Sequence, residues 1–129
     1  MSFIFQDLKK ALHWFRKAAF NGNPQAQTTI GAMYLNGMGM DKDYYTAFEW
    51  FDKAATQGFP EAQYNLGIMY VEGLAVSKND NNALKWLRKA SIQGHTGAAH
   101  SLAELIKRRE NNQQRTLRIP RSYEKTFRG

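Results

Sequence analysis

The chain repeats itself every 36 residues, and this repeat limits its fold more than any other feature of the sequence. Three tryptophans, Trp14, Trp50 and Trp86, follow this spacing without a gap. A period of this length is typical of repeat proteins, in which each unit buries its apolar face against the next. The same offset relates three sets of alanines and glycines, which are Ala11/Ala47/Ala83, Ala18/Ala54/Ala90 and Gly22/Gly58/Gly94, and one set of lysines, Lys17/Lys53/Lys89.

Each unit has the pattern of two helices joined by a tight turn. In the middle unit, Ala47, Trp50, Phe51, Ala54 and Ala55 have the spacing of one helix face. We expect a polar N-cap four residues before each leading alanine, a glycine after each first helix, and a proline at the start of two second helices. The residues in these positions are Asp7, Asp43, Asn79, Gly22, Gly58, Gly94, Pro24 and Pro60.

These signals define six helices that we expect to stack. Helices of this length are marginal in isolation, so each must bury its apolar stripe against a neighbour. Small residues such as Gly67 are expected to let helices approach closely, with the tryptophans filling the gaps between them. We therefore expect Trp14, Trp50 and Trp86 to be buried, and Trp50 to be the most damaging residue to truncate. The predicted ranges are 7–20, 43–56 and 79–92 for first helices and 24–36, 60–72 and 96–110 for second helices.

The middle unit resembles the Sel-one-like repeat, a relative of the tetratricopeptide repeat. The resemblance covers roughly residues 7–106 and implies an all-α fold, a right-handed α/α superhelix (solenoid) of three helix-turn-helix repeats. It also implies adaptor or regulatory work through contacts with other proteins, often in bacteria, without naming a partner. The residues that carry it are Ala47, Trp50, Phe51, Lys53, Ala54, Ala55, Gly58, Ala62, Leu66, Gly67, Tyr70 and Gly73.

We expect a repeat domain over residues 1–110, with repeats at about 7–42, 43–78 and 79–110, and a basic tail over residues 111–129. In the third repeat Ala103, Ile106 and Arg109 replace the glycine, tyrosine and glycine of the pattern. A terminal unit on which no further repeat stacks is expected to diverge, so we interpret residues 96–110 as a C-terminal cap. Residues 107–129 carry eight Lys or Arg against two Asp or Glu, whereas residues 1–106 carry ten against nine. We expect the tail to be flexible or loosely docked.

The first candidate site is the outward side of the first helices. In tetratricopeptide-type solenoids the first helices line the concave surface, so the resemblance implies a groove for a protein or peptide, with Tyr45 as an aromatic anchor. An alternative is that Glu49 and Asp52 only pair with basic residues of adjacent helices, in exposed ion pairs worth ~0–1 kcal/mol each. The predicted groove residues are His13, Arg16, Tyr45, Glu49, Asp52, Lys85 and Arg88.

We expect a non-catalytic interaction scaffold or adaptor. One alternative is an immunity or inhibitor protein that blocks a cognate effector, a role that some bacterial relatives have. Another is a tail that binds nucleic acid or an anionic membrane surface. The near-neutral charge of residues 1–106 weighs against nucleic acid. The basic tail residues are Arg115, Arg118, Arg121, Lys125 and Arg128.

The sequence predicts no enzyme, no cofactor and no metal site. His95 and His100 are five residues apart, and His100 with Glu104 has the i, i+4 spacing of two ligands on one helix, but a metal site needs three or four ligands and no third is evident. The chain has no cysteine, and no phosphate-binding or hydrolase motif occurs. The N-terminus does not have the pattern of a signal peptide, and no segment is apolar enough to span a membrane. A cytoplasmic location is therefore expected, while a secreted or periplasmic one stays open if a leader has been trimmed.

Phe3, Ile4 and Phe5 form an apolar cluster just before the first predicted N-cap. The open ends of a solenoid are apolar and favour association. These residues therefore suggest the hypothesis that the protein forms a homodimer, or docks on a partner, through its N-terminal end.

Overall fold

The computed structural model describes residues 2–117, apart from the side chains at positions 2, 3 and 5. This part of the chain consists of six α-helices and contains no strand, which confirms the all-α solenoid. Helices that follow one another in sequence pack against each other, and each odd-numbered helix is the first of a repeat. The helices are α1 (Ser2–Phe20), α2 (Pro24–Asn36), α3 (Tyr44–Thr56), α4 (Pro60–Glu72), α5 (Asp80–Ile92) and α6 (Thr96–Leu117).

The turns within each repeat depend on glycines in the left-handed region. Gly22, Gly58 and Gly94 have φ of 92°, 95° and 94°, a conformation that residues with a Cβ rarely adopt. Pro24 and Pro60 then open α2 and α4, where the missing amide hydrogen costs no helical hydrogen bond. The predicted turn chemistry is confirmed at all five positions.

The predicted N-caps are confirmed at two of three positions. The side chain of Asp43 accepts a hydrogen bond from the amide of Thr46, and Asn79 accepts one from Asn82. The prediction for Asp7 is wrong, because α1 begins at Ser2 and Asp7 lies inside it. The first repeat is thus entered by a longer helix than the pattern predicted.

The core is a stack of alanines and large apolar side chains from both helices of each repeat. In α3 the residues Ala47, Phe51 and Ala54 are fully buried, and Ala62 and Leu66 face them from α4. This is the stripe that the sequence predicts. Burial of these side chains is what stabilises helices too short to fold alone.

Two glycines bring the second helix of one repeat against the first helix of the next. A Cβ at Gly31 would lie 2.6 Å from the ring of Phe51, and one at Gly67 would lie 2.9 Å from Leu87. Neither position has room for a methyl group, so the expected close approach at Gly67 is confirmed. The contact between repeats therefore depends on the absence of a side chain at these two positions.

The tryptophans are not buried equally, and the prediction that all three lie in the core is wrong. Trp86 is 8% exposed and packs in the core of the second repeat, whereas Trp50 is half-buried against the core of the first. Trp14 is 65% exposed. Each of the other two rings is covered by the repeat before it, and no helix pair precedes α1 within residues 2–117. The largest fully buried side chain is Phe51.

Buried glutamines connect neighbouring repeats at the turn edge of the stack. Gln27 donates its amide to the carbonyl oxygen of Ala19 and accepts a hydrogen bond of 2.8 Å from Gln57. In the next repeat Gln63 donates to Ala55 and accepts a bond of 2.9 Å from Gln93. Each inner glutamine therefore joins the end of its own hairpin to the next hairpin.

The last helix is longer than predicted, because it runs to Leu117 instead of ending near residue 110. The glycine that ends α2 and α4, at Gly37 and Gly73, is replaced by Arg109. No glycine or proline lies between Gly97 and Pro120, so nothing in the sequence stops the helix there. Residues 111–117 of the expected tail are thus helical.

Truncating Phe51 should therefore destabilise the protein more than truncating Trp50. We expect Phe51→Ala to lower the free energy of unfolding by about 4 kcal/mol and Trp50→Ala by about 2 kcal/mol, because a fully buried ring leaves a cavity. Trp14→Ala, compared with the wild type at a protein concentration at which both are monomeric, is the matched control and should change it by less than about 0.5 kcal/mol. Urea denaturation followed by circular dichroism measures all three. A loss for Trp50→Ala equal to or greater than that for Phe51→Ala would contradict this ranking.

Candidate functional site

The outward sides of the three first helices form one surface, which we call the first-helix face. All seven predicted groove residues belong to it, and every member is exposed. The three helices are neighbours, because the rings of Phe20 and Trp50 are in edge contact between α1 and α3, with centroids 5.5 Å apart, and Trp86 of α5 packs into the core that contains Phe51. The face consists of Lys9, His13, Arg16, Lys17 and Phe20, of Tyr45, Glu49, Asp52, Lys53 and Thr56, and of Asn81, Lys85, Arg88, Lys89 and Ile92.

The ion pairs expected under the alternative interpretation do not form. Within residues 2–117, neither Glu49 nor Asp52 makes an ion pair with Arg16, Lys85 or Arg88. Elsewhere in this part of the chain Arg108 forms an ion pair with Asp80, while His95 contacts Glu61 and His100 contacts Glu104 in pairs that are ionic only when the imidazole is protonated. Glu49 and Asp52 are therefore not used in structural ion pairs within residues 2–117.

Five of the seven basic residues of the face instead contact aromatic side chains. The guanidinium of Arg16 donates a hydrogen bond of 2.6 Å to the hydroxyl of Tyr34 on α2. In each first helix a lysine three residues after the tryptophan lies over the indole, with Lys17, Lys53 and Lys89 at 5.7, 4.7 and 5.0 Å from the ring centroids. Lys85 approaches Trp86 as well, at 5.0 Å. Sequence reasoning missed these contacts, although the repeated tryptophans and lysines both carry the signal.

Such cation–π contacts are modest in energy but fix the position of the charge. An exposed pair contributes roughly 0.5–1 kcal/mol. Their effect on the site is geometric, since a lysine that rests on a ring has fewer rotamers to lose when a ligand binds. The repeat period therefore places a positioned ammonium group on each first helix.

The middle of the face begins at the N-cap of α3. Asp43 accepts a hydrogen bond of 2.6 Å from the hydroxyl of Thr46 and one of 3.1 Å from its amide, which holds the first turn that carries Tyr45. These bonds stabilise the carboxylate form, and the pKa of Asp43 is lowered, chiefly by the side-chain hydrogen bond from Thr46. The cap is therefore strongest while the carboxyl group is ionised.

We expect this cap to make the stability of the protein acid-dependent. A carboxylate with a lowered folded-state pKa stabilises the protein above its unfolded pKa, and this contribution is lost as the pH falls below about 4, through the folded value. Asp43→Asn keeps an acceptor oxygen and should flatten the fall of Tm between about pH 5 and about pH 2.5. The reciprocal variant Asn79→Asp should introduce a weaker acid dependence, because Asn82 has no hydroxyl to offer. If Asp43→Asn and the wild type lost Tm in parallel, the carboxylate would not be the cause.

His95, one of the two histidines considered above as metal ligands, stabilises the start of α6 instead. Nδ1 of His95 accepts a hydrogen bond of 2.9 Å from the amide of Ala98 at the start of α6. Its Nε2 lies 2.7 Å from the Glu61 carboxylate, and its ring stacks on Tyr64. Within residues 2–117 no group of three or more metal-binding side chains comes together. Because its ring nitrogen accepts a hydrogen bond from the amide three residues later, His95 is the counterpart of Asn23, which caps α2 at the matching position of the first repeat.

The remaining predicted residues lie at the two ends of the described chain. Ile4 is exposed within α1, while the side chains of Phe3 and Phe5 are not described. Arg115 is exposed near the end of α6. The other basic tail residues, Arg118, Arg121, Lys125 and Arg128, lie outside the described residues. The prediction of a basic binding tail is thus not tested by the structure.

The repeat architecture is matched by a known family. The Sel1 repeat is found three times along the chain, at residues 2–23, 24–59 and 60–95. The chain belongs to the Sel1 repeat family. Proteins of this family are generally non-catalytic protein-interaction scaffolds, so the resemblance seen in the sequence is confirmed. The boundaries of the matched units fall at the prolines that open α2 and α4.

Several solved structures of Sel1 repeat proteins are similar to this chain. A Sel1 repeat protein from Oxalobacter formigenes is 42% identical, with a TM-score of 0.69 over 71% of this chain and 69% of that one. A protective antigen of uropathogenic Escherichia coli, c5321, is 41% identical with a TM-score of 0.73, over 75% of this chain but 21% of its own length. The Helicobacter pylori cysteine rich protein B is 26% identical with a TM-score of 0.69, over 73% and 71%. A search of curated proteins gave no match.

No helix in the described part of the chain combines the length and the apolar character that crossing a bilayer requires.

Proposed function

We propose that the protein is a non-catalytic scaffold that binds a protein or peptide on the first-helix face. The single observation that carries the proposal is that this face exposes large apolar side chains beside charged groups, such as Glu49 and Asp52, that form no ion pair within residues 2–117. Phe20, Tyr45 and Ile92, one from each first helix, are between 72% and 85% exposed. Apolar side chains of this size, surrounded by polar groups on one surface, are typical of protein-binding sites.

Each part of the face has a role in this proposal. Tyr45 is the aromatic anchor, because it combines a large apolar surface with a hydroxyl and few rotatable bonds. Glu49 and Asp52 offer acceptors beside it, and Arg16 and Arg88 offer donors on the neighbouring first helices. His13 and Lys85 extend the same surface. An extended peptide laid across α1, α3 and α5 would meet all of these side chains.

Selection of peptides tests the proposal even though the natural partner is unidentified. A display library of random 12-residue peptides is selected on the immobilised protein, and the Kd of the strongest peptide is measured by fluorescence polarisation. We expect Tyr45→Ala to weaken binding about tenfold, which corresponds to about 1.4 kcal/mol and is usual for an anchor residue. Reversing both acids, with Glu49→Lys and Asp52→Lys, should change which peptides are selected.

A matched control separates the face from the rest of the surface. Glu72→Lys with Glu110→Lys makes the same charge change on exposed residues of α4 and α6. It should leave the selected peptides and their Kd values unchanged. The proposal fails if no peptide is selected, or if the control variant alters binding while the Tyr45 and acid variants do not.

Self-association through the N-terminal end is a second proposal, supported by the position of Trp14. This ring is largely exposed, whereas its counterparts Trp50 and Trp86 are covered by a preceding repeat. Ile4 is exposed on the same helix. A second copy that covers this end would bury both side chains, as the repeats do for one another.

Sedimentation velocity over a range of concentrations measures this association. We expect the sedimentation coefficient of the wild type to rise with concentration and that of Ile4→Glu to stay constant. Ile92→Glu is the matched control, since it places the same charge on an exposed isoleucine at the other end of the stack. A monomer at the highest concentration reached would rule the association out.

A further inference from the structure

We propose that the segment bound by the first-helix face is an acidic peptide with large apolar side chains, an inference that rests on the function proposed above. The observation behind it is a separation of charge that the net charge of the domain conceals. Residues 1–106 carry ten Lys or Arg and nine Asp or Glu, which leaves only +1. The structure shows that this near-neutral total is distributed very unevenly.

The first-helix face is strongly positive and the rest of residues 1–106 is negative. Seven of the fifteen face residues are Lys or Arg and two are Asp or Glu, a balance of +5. The remaining residues of this segment include three Lys and seven Asp or Glu, a balance of −4. When the four Lys or Arg and the one Glu of residues 107–117 are added, the described residues outside the face carry seven Lys or Arg and eight Asp or Glu, a balance of −1. The net positive charge of residues 2–117 is therefore concentrated on the first-helix face, which favours the approach of an acidic ligand to that side.

Most positive charges of the face are not neutralised within the described chain. Six of them form no ion pair within residues 2–117, and four of these six rest instead on tryptophan rings, which leave the ammonium charge intact. A carboxylate that arrives from a ligand thus meets cations that form no ion pair within residues 2–117, and all of them except Arg88 are held by an aromatic side chain. The six are Arg16, Lys17, Lys53, Lys85, Arg88 and Lys89.

The arrangement also predicts where the acids of the ligand lie. The basic residues are concentrated on α1 and α5, while Glu49 and Asp52 make the centre of the face acidic. A ligand with acids towards both ends and a neutral or basic residue between them matches this order, whereas an acid at the centre is repelled. Phe20, Tyr45 and Ile92 provide one exposed apolar contact on each first helix.

A peptide fits this surface better than a single-stranded nucleic acid. Nucleic acids carry a phosphate at every position, so one of them would meet the two carboxylates at the centre. They also bind through successive bases stacked on open aromatic faces. Phe20 on α1 and Tyr45 on α3 are exposed rings, but the part of the face on α5 offers none, because Trp86 is buried and the exposed apolar residue there is Ile92. Aromatic stacking therefore cannot continue across all three first helices.

The peptide selection described above also tests the chemistry of the ligand. We expect the selected 12-residue peptides to be enriched in Asp and Glu, and each to contain an aromatic or large aliphatic residue. Their binding should weaken with rising salt, because exposed charges are screened. Peptides that bind the face without being acidic would overturn this inference and leave the scaffold function standing. A library that yields no binders would contradict both.

Charge reversal on the lysines gives the second measurement. Lys17→Glu with Lys89→Glu, on α1 and α5, should weaken an acidic peptide by about tenfold or more, since two exposed charge contacts become repulsive. Lys42→Glu with Lys78→Glu is the matched control, because these lysines are also exposed but lie outside the face. The control should bind within about twofold of the wild type. Lys17→Arg with Lys89→Arg keeps the charge and should retain binding.

Two further outcomes would overturn the inference. One is an equal loss of binding in the Lys42 and Lys78 control, which would show that net charge alone matters. The other is binding of a fluorescein-labelled 12-nucleotide single-stranded DNA as tight as that of the acidic peptides, which would assign the face to nucleic acid. Circular dichroism and Tm of each variant establish that the fold is intact.

Discussion

The whole stack depends on the contact between the second helix of one repeat and the first helix of the next. At this contact a glycine faces a large apolar side chain, with Gly31 against Phe51 and Gly67 against Leu87. Because the glycine has no Cβ, the ring or the branched chain lies directly on helix backbone and becomes fully buried. Burial of this kind compensates for the low stability of helices of thirteen residues. It also fixes the rotation of each first helix, and thus which of its residues remain exposed.

The same rotation produces the first-helix face. When Ala47, Phe51 and Ala54 are buried, Tyr45, Glu49 and Asp52 on the opposite side of α3 have to face outward. The repeat then copies this orientation onto α1 and α5. The surface that we propose as a binding site is therefore a direct consequence of core packing, and its composition is free to change without loss of the fold. Apart from the repeated lysines Lys17, Lys53 and Lys89, the exposed residues of the three first helices accordingly differ from one another.

The sequence predicted the architecture well where one residue determines one local structure. Gly22, Gly58 and Gly94 at the turns and the N-cap of Asp43 needed only local chemistry, and they were placed correctly. The burial of a tryptophan was harder, because it depends on what lies across the interface. Trp14 occupies the same place in its repeat as its counterparts, but no repeat within the described residues covers it.

The charges of the site follow the same distinction between local and tertiary information. Helical spacing predicted that Glu49 and Asp52 are exposed, but not that they would form no ion pair with the neighbouring first helices. That depends on distances between helices, and so do the contacts that position Lys53 and Lys89 on their indoles. A count of charged residues along the sequence assigned the excess of Lys and Arg to the C-terminal tail. Only the distribution in space showed that the first-helix face is basic as well.

The glutamine contacts between repeats have a consequence for how such a chain can be lengthened or shortened. Gln57 donates a hydrogen bond to Gln27, and Gln93 donates one to Gln63 in the same way. The donor and the acceptor at each junction are therefore the same groups in the same order. If residues 43–78 were removed, Gln27 would face Gln93 and Gly31 would face Leu87, and both junction contacts would be rebuilt from existing side chains. A whole repeat is thus an exchangeable module whose gain or loss leaves no buried amide without a partner. Changes in length can then occur in complete units, while the shared buried residues stay as they are.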